Sequence, residues 1–446
     1  MNDMLRVAIV GSGIAGLAAA HALQGKARLT LFEAGEHFGG HANTVNITLP
    51  TAAGRVTHGV DTGFLVFNSR TYPQLIELFA QLGVATAASE MSFSVQAAGA
   101  AWGGGTLSWS GTSINSVFAQ RRNLLNWRFL RMLGEIMRFN RVTTALAQSH
   151  SEADNAPDPA QNQPLGEFLD VQGFSPAFRD WYFLPMMACI WSCPTAQMLR
   201  FPVSTMVRFC YNHGLIQVAN RPAWRTVAGG SQHYVEKITA GIIDKRLRTP
   251  VRAIERDESL ARGGVLIHLD SGPERFDKVV LATHSDQSLA LLKAPTPAEH
   301  HTLGAIGYQA NRAVLHTDAS VLPTKQLAWA AWNYERAQHP TGEPSPVCLH
   351  YLLNKLQPLP FEQPVLVSLN PLREIARTLV LGEYNYMHPV FDLAAINAQG
   401  RLPELQGRQH SYFCGAWAGY GFHEDGLKSG LEAASLLTRD LAGAPA

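Results

Sequence analysis

Apolar positions fall along this chain in short blocks separated by glycine, and their spacing changes from block to block. Leu5–Val10 is apolar and meets glycine at once, the pattern of a short buried strand. Gly11-Ser-Gly-Ile-Ala-Gly16 opens a helix through Ala18–Ala20 to about Leu23, and Leu29–Phe32 reads as a second strand ending on Glu33. Gly59-Val-Asp-Thr-Gly63 reads as a turn into a buried strand, Phe64–Asn68. From Tyr72, Leu75, Leu78, Phe79 and Leu82 recur at helical spacing with Gly83 as the stop. Short strands are expected at Ser92–Val95 and Thr106–Ser110. Arg121–Val142 predicts a long helix with Leu125, Phe129, Met132, Leu133 and Ile136 on one face. The polar, proline-bearing stretch Ser149–Pro164 reads as a surface loop. Helical patterns return at Leu165–Asp170 and Ala177–Ile190, and a further helix opens after Gly229-Gly230-Ser231. Val251–Arg256, Val265–Leu269 and Asp277–His284 read as strands, Ala313 to about Val390 as a β-rich stretch. Ser411–Leu437 reads as strand, glycine-rich turn and helix.

The first of these blocks carries chemistry. G-x-G-x-x-G between a strand and a helix permits a tight turn at Gly11, a close approach to a pyrophosphate at Gly13 and close helix–strand packing at Gly16. The helix N-terminus offers N–H groups and a partial positive charge to phosphate. Glu33, about 20 residues further on, suits a ribose diol. This predicts a bound dinucleotide and leaves FAD and NAD equally open. Directly behind come Gly39, Gly40 and His41, where the backbone can fold back beside the pyrophosphate and His41 can add a hydrogen bond or a charge.

Composition narrows the class rather than the reaction. With 446 residues, 46% apolar and 16% charged, the chain suits a two-domain globular enzyme. A formal net charge of +1 gives no general case for nucleic acid. Five scattered cysteines make no disulfide framework, and Cys189-x-x-x-Cys193 lacks the companion pair of a zinc site, so reduced thiols, no metal and a cytoplasmic setting are expected. The apolar start is better explained as strand and phosphate loop than as a secretory signal, and no apolar run reaches the ~18 residues of a membrane span.

Several motifs together resemble a known superfamily. G-S-G-I-A-G at 11–16, E-x(5)-G-G-H at 33–41, L-A-T-H at 281–284 and C-G-A…G-Y-G-F-H-E-D-G-L-x-S-G at 414–430 resemble the FAD-dependent amine oxidases and phytoene desaturases. DTGFLVFNSRTYPQL, AQRRNLLNWRFLRML and YGFHEDGLKSG are similar to bacterial flavoproteins whose genes often neighbour cyclopropane-fatty-acid-synthase-type methyltransferases. The resemblance implies an α/β fold. Its Rossmann-like, glutathione-reductase-like FAD domain would comprise 1–68, 226–295 and 400–446, with a discontinuous mixed α+β substrate domain at 69–225 and 296–399.

It also implies FAD as the cofactor, held by Gly11, Ser12, Gly13, Ile14, Ala15 and Gly16, and by Glu33, Ala34, Gly40 and His41. Thr62, Gly63, Phe64, Val251 and Thr283 would contribute, and Gly415 with Glu424, Asp425, Gly426 and Leu427 would lie against the flavin. Two departures stand out: His41 and Ala416 occupy positions where the superfamily usually has Arg and an acid. His423, Glu424 and Asp425 could include a proton donor or acceptor, or simply hold the turn and cap the last helix. Tyr420 could wall the substrate or pack, and Cys414 could tether the flavin or sit as a packed thiol. The implied reaction is redox chemistry on a hydrophobic substrate, most readily desaturation of a fatty-acyl chain. Amine oxidation, double-bond isomerisation and a non-catalytic role beside a lipid methyltransferase are the alternatives. Finally, six arginines against one glutamate in 121–142, interleaved with Trp127, Phe129 and Phe139, fit contact with anionic lipid at the inner membrane face or a plain solvated face.

Overall fold

A computed structural model of the chain describes residues 4–101, 104–152, 163–191, 194–216, 222–257, 263–336 and 347–441. Its opening unit is strand β1 (Arg6–Val10), helix α1 (Ile14–Leu23) and strand β2 (Arg28–Phe32). These strands belong to a five-stranded, wholly parallel sheet in the order Asp244–Arg246, β2, β1, Lys278–Leu281, Ser411–Phe413. Helices cover it, which is why β1 is apolar without alternation. α1 is buried almost all round and lies against the helix His423–Leu441. Glycine at 430 permits that contact, since a Cβ there would stand 2.2 Å from the Ala15 carbonyl oxygen.

Strands β3 (Thr44–Thr51) and β4 (Gly54–Asp61) form a hairpin beyond β2. Gly59–Asp61 is thus the end of a strand and not the expected turn; a Cβ at Gly59 would press on the Gly229 carbonyl oxygen at 2.7 Å. Helix α2 (Pro73–Leu82) stops at Gly83, whose φ of 60° is left-handed as a helix stop requires.

A second, seven-stranded sheet gathers distant segments in the order Val380–Val390, Gly307–His316, Leu366–Leu369, Cys348–Leu352, Trp332–Arg336, Phe93–Ala97, Leu107–Ser110. It is antiparallel except where Trp332–Arg336 runs parallel to Phe93–Ala97. Helix α3 (Ile114–Val117) and helix α4 (Trp127–Glu152) adjoin it. The long helix expected from Arg121 is broken. Residues Arg121–Leu125 form a 3₁₀ turn, Asn126 is extended, and its side chain accepts the Phe129 N–H to start α4. Leu125 falls out of phase with the apolar face and is exposed. Phe129, Met132 and Phe139 do face the core, where Phe139 meets Phe174, Phe178 and Phe183 at 4.6–5.6 Å. α4 continues into the stretch read as a loop, and 153–162 lie outside the described residues, as does Cys193.

Asp61, at the end of β4, ties the hairpin to the start of the helix Gln232–Ala240 and to Gln357. Its buried carboxylate accepts the Thr44 hydroxyl (2.6 Å), the Ser231 N–H (2.9 Å) and hydroxyl (2.6 Å), and the Gln357 amide (2.8 Å). Burial raises its pKa and these hydrogen bonds pull it back. Among the described residues no helix is long and apolar enough to cross a membrane.

Candidate functional site

At the ends of β1 and β2 the glycines make an open cradle. Gly11 has φ +100°, and a Cβ there would stand 2.8 Å from the Ala282 carbonyl oxygen. Gly16 packs so closely that a Cβ would be 2.0 Å from the Gly11 oxygen. Gly13 occupies the N-cap position of α1 with no side-chain cap and no acid in the first turn. The N–H groups and positive end of α1 are therefore left for a ligand anion. Gly40 lies against this loop, its would-be Cβ 3.1 Å from the Gly13 Cα. Glu33 accepts the Ser12 N–H and hydroxyl through one oxygen and the Gly35 N–H through the other.

The cradle is one end of a cavity of about 1870 Å³. Its other end is lined by Trp109, Tyr182, Met186, Ile190, Phe209 and Trp332. Among the described residues no lysine or arginine lines it, and the only acids are Glu33 and Glu90. Glu90 is already held by Lys355 at 3.0 Å and by Ser92.

Histidines stand where the two ends meet. His41 stacks on Tyr386 at 4.8 Å and lies 5.5 Å from His388. His423 stacks on Phe64 at 3.8 Å and bonds the Tyr234 hydroxyl at 2.7 Å, while His284 stacks on Tyr308 at 4.6 Å. Burial holds all four below the usual imidazole range, His388 down to about 4 and His423 to about 3, with His41 lowered further by its histidine neighbours. They are neutral at pH 7. His388 also has a defined tautomer. Its Nδ1 accepts the Asn311 amide at 2.9 Å, and Asn370 fixes that amide by donating to the Asn311 oxygen at 2.7 Å. The ring hydrogen of His388 is therefore on Nε2, the nitrogen left to the cavity.

The sequence profile of the flavin-containing amine oxidoreductases matches residues 14–349. The chain belongs to this family. It is an FAD-dependent oxidoreductase. No protein of curated function matches it by sequence. Solved structures share its fold at low identity. A fatty acid isomerase from P. acnes that produces CLA is 16% identical, with 98% of this chain and 99% of that one covered at a TM-score of 0.65. Cyclohexylamine oxidase from Brevibacterium oxydans IH-35A gives 16%, 98%, 100% and 0.65. Putrescine oxidase bound to putrescine gives 15%, 97%, 98% and 0.62.

The residues present fit the flavoprotein's cofactor. The uncapped helix suits a pyrophosphate, and His41 Nε2 is a buried nitrogen with no hydrogen-bond partner beside it. Without a ligand, burial and its histidine neighbours hold His41 neutral, and its Nε2 is left open to a partner. Gly11, Ser12, Gly13, Ile14 and Ala15 line the cavity, as do Glu33, Ala34, Gly40 and His41. Gly63, Phe64, Val251, Thr283, Gly415 and His423 line it too.

The remaining expected residues sit behind this surface. Gly16 lies under the loop, and the Thr62 hydroxyl bonds the Tyr386 hydroxyl at 2.7 Å. Leu427 is fully buried, and Gly426 packs on Ile14. Asp425 accepts the Phe422 N–H at 2.9 Å and closes the turn, burial raising its pKa to about 6. The Tyr420 ring lies 6.0 Å from Phe209, and its carbonyl accepts the Trp191 indole N–H. Cys414 is a fully buried thiol pushed up to about 12.

Glu424 is placed by the fold as a cap: its two oxygens accept the Gln74 and Leu75 N–H groups at 2.8 and 3.0 Å, the first turn of α2. Glu424→Ala should lower stability by about 1–2 kcal/mol, as for a lost helix cap, with flavin content unchanged. Thermal melting and absorbance would check both, and loss of flavin at unchanged stability would return Glu424 to the site.

Sequence reading missed the wall formed by Tyr384, Tyr386 and His388. They alternate along the strand Val380–Val390, so an i, i+2, i+4 stripe of ring side chains was the signal that could have found them.

Away from the cavity, Glu335, Cys348 and His350 bring ligand-type atoms within 4.8 Å. Hydrogen bonding there has a fixed direction. The Asp318 N–H donates to His316 Nδ1, so His316 Nε2 donates to Ser368, Ser368 to His350 Nδ1, and His350 Nε2 to Glu335. The His350 lone pair that a metal would need at Nε2 carries a hydrogen instead.

Proposed function

We propose that this oxidoreductase acts on the hydrocarbon chain of a fatty-acyl lipid, introducing a double bond. The observation that carries the reading is the apolar end of the cavity. Its aromatic and aliphatic walls have no cation among the described residues and no unpaired acid to hold an ammonium group, Glu90 being taken by Lys355. A carbon chain is therefore better matched than an amine. When bound, FAD supplies the hydride acceptor and is re-oxidised by dioxygen or a quinone-type carrier. The protein's part is to hold the chain extended and dry, and to present neutral imidazoles. A proton from the neighbouring carbon leaves to water or to a base beside the flavin, while the Nε2–H of His388 is a fixed donor for an oxygen of the ligand. A second reading, double-bond isomerisation, is favoured by the shared fold of the P. acnes isomerase, which holds the same kind of chain.

Anaerobic mixing of the flavin-loaded protein with unsaturated or methylated acyl lipids tests this. Bleaching near ~450 nm, the oxidised-flavin band, with a new double bond in the product, is the expected outcome. Ile190→Trp, which fills the cavity wall, should slow bleaching by long chains about tenfold or more and leave flavin content unchanged. A product with its double bond moved and no bleaching would favour isomerisation. Bleaching by amines alone would end the acyl reading.

A further inference from the structure

Of the large apolar side chains left exposed, an unusual share is crowded into one short stretch: Ile114, Leu124, Leu125, Trp127, Leu130 and Met137. Ile114 is 81% exposed, Leu125 79% and Trp127 63%, far beyond a scattered surface leucine. The same stretch carries Arg121, Arg122, Arg128, Arg131 and Arg141, all exposed. It offers no exposed acid, because Glu135 is buried and bonded to Ser175 and Arg131. At about 100° per residue, Trp127, Leu130, Met137 and Arg141 share the outer face of α4. The adjoining face carries Leu133, Ile136 and Asn140, which line the cavity. Ile114 and Met137 belong to both sets, exposed outside and lining within. They mark a mouth of the cavity in the middle of the apolar and cationic surface.

We propose that α3, the turn Arg121–Leu125 and the first turns of α4 dock on an anionic lipid bilayer. The mouth at Ile114 and Met137 then opens directly into the acyl layer. Charge complementarity selects the partner: arginines at the headgroups with leucine, tryptophan and methionine below them is the pattern of an interfacial helix. What passes through the mouth rests on the acyl-chain reading above; the docking itself does not. A lipid substrate then moves from membrane to cavity without crossing water.

The test is flotation of the full-length, flavin-loaded protein with vesicles of phosphatidylcholine containing phosphatidylglycerol, and with phosphatidylcholine alone. Binding should favour the anionic vesicles and weaken at high salt. Arg128→Glu with Arg141→Glu should reduce it at least about tenfold, with melting temperature and flavin spectrum as in the wild type. Leu125→Ser with Trp127→Ser should reduce binding to both vesicle types. Absence of flotation, or flotation that neither pair of substitutions alters, would overturn the proposal. So would concentration-dependent self-association that the same substitutions abolish without any flotation, since the face would then belong to a second copy. Vesicle binding without bleaching by any acyl lipid would leave docking standing and remove the acyl reading. Bleaching by detergent-dispersed lipid without flotation would do the reverse.

Discussion

Replacing Gly13 by aspartate should give a folded protein that no longer retains FAD. Gly13 sits at φ −62° and ψ 175°, which any residue adopts, and nothing lies within 4 Å of the position its Cβ would take. The fold therefore accepts the side chain without strain. Aspartate is also a better N-cap than glycine by a few tenths of a kcal/mol, so α1 gains where it now has no side-chain cap. That gain is the difficulty for the cofactor. The new carboxylate takes the N–H groups that a pyrophosphate would use and adds a like charge beside it. Two unit charges ~4 Å apart at an effective dielectric of ~20 repel by about 4 kcal/mol, roughly a thousandfold in affinity. Flavin absorbance per protein after reconstitution, and melting of the flavin-free protein, measure the two halves separately. Gly16→Ala is the contrast: its methyl carbon would stand 2.0 Å from the Gly11 oxygen, and the protein should fail to fold. Aspartate at 13 with undiminished flavin content would mean that the cofactor's phosphates lie elsewhere.

The difference between those two glycines is a fair measure of what the sequence disclosed. Local rules suffice where partners are near in the chain. Strand, phosphate loop, helix and strand occur at Arg6–Val10, Ile14–Leu23 and Arg28–Phe32, within a residue of their expected bounds, because burial on both faces leaves little else for such apolar runs. Local rules also misled. Asn126 resembles any polar residue in an amphipathic pattern, yet its side chain restarts the helix and puts Leu125 into solvent. What could not be read were roles set by remote segments. Glu424 looked like chemistry beside a flavin; only the fold shows that α2, some 350 positions earlier in sequence separation, supplies both of its partners. His388 carried no motif, and its tautomer depends on Asn311 and Asn370, on two other strands or their ends. Period alone reveals a face, whereas a site needs the faces that meet.

The buried imidazoles should also make the protein sensitive to acid. His388, His213 and His316 are held down to about 4, and His423 to about 3, by burial. In the unfolded chain the same groups titrate near the ordinary 6.5. The unfolded state therefore binds protons first as the pH falls, and stability is lost below pH 6.5 until the folded-state groups titrate near 4 to 3. Above pH 6.5 these groups contribute no slope. Each of the three held near 4 contributes about 3 kcal/mol over that interval, and His423 about 5 kcal/mol. Asp425, raised to about 6, and the raised carboxyls of Asp61 and Glu424 act in the opposite direction, because the folded state takes up their protons first. Asp425 alone offsets roughly one imidazole. The lowered imidazoles outnumber the raised carboxyls, so the balance is a net loss of stability as the pH falls from 6.5 to 4.5. Thermal melting of the flavin-loaded protein from pH 8 to 4.5 should show a plateau and then a fall of about 5 °C or more, with flavin released in the same range. His213→Phe removes one titrating ring from an aromatic setting, stacked at 3.9 Å on Phe209. Its effect is read as a shallower slope below pH 6.5, whatever its effect at pH 8. A slope unchanged in His213→Phe would mean that this ring is not held neutral in the folded protein, and a melting temperature flat from pH 8 to 4.5 would mean that the imidazoles do not outweigh the carboxyls.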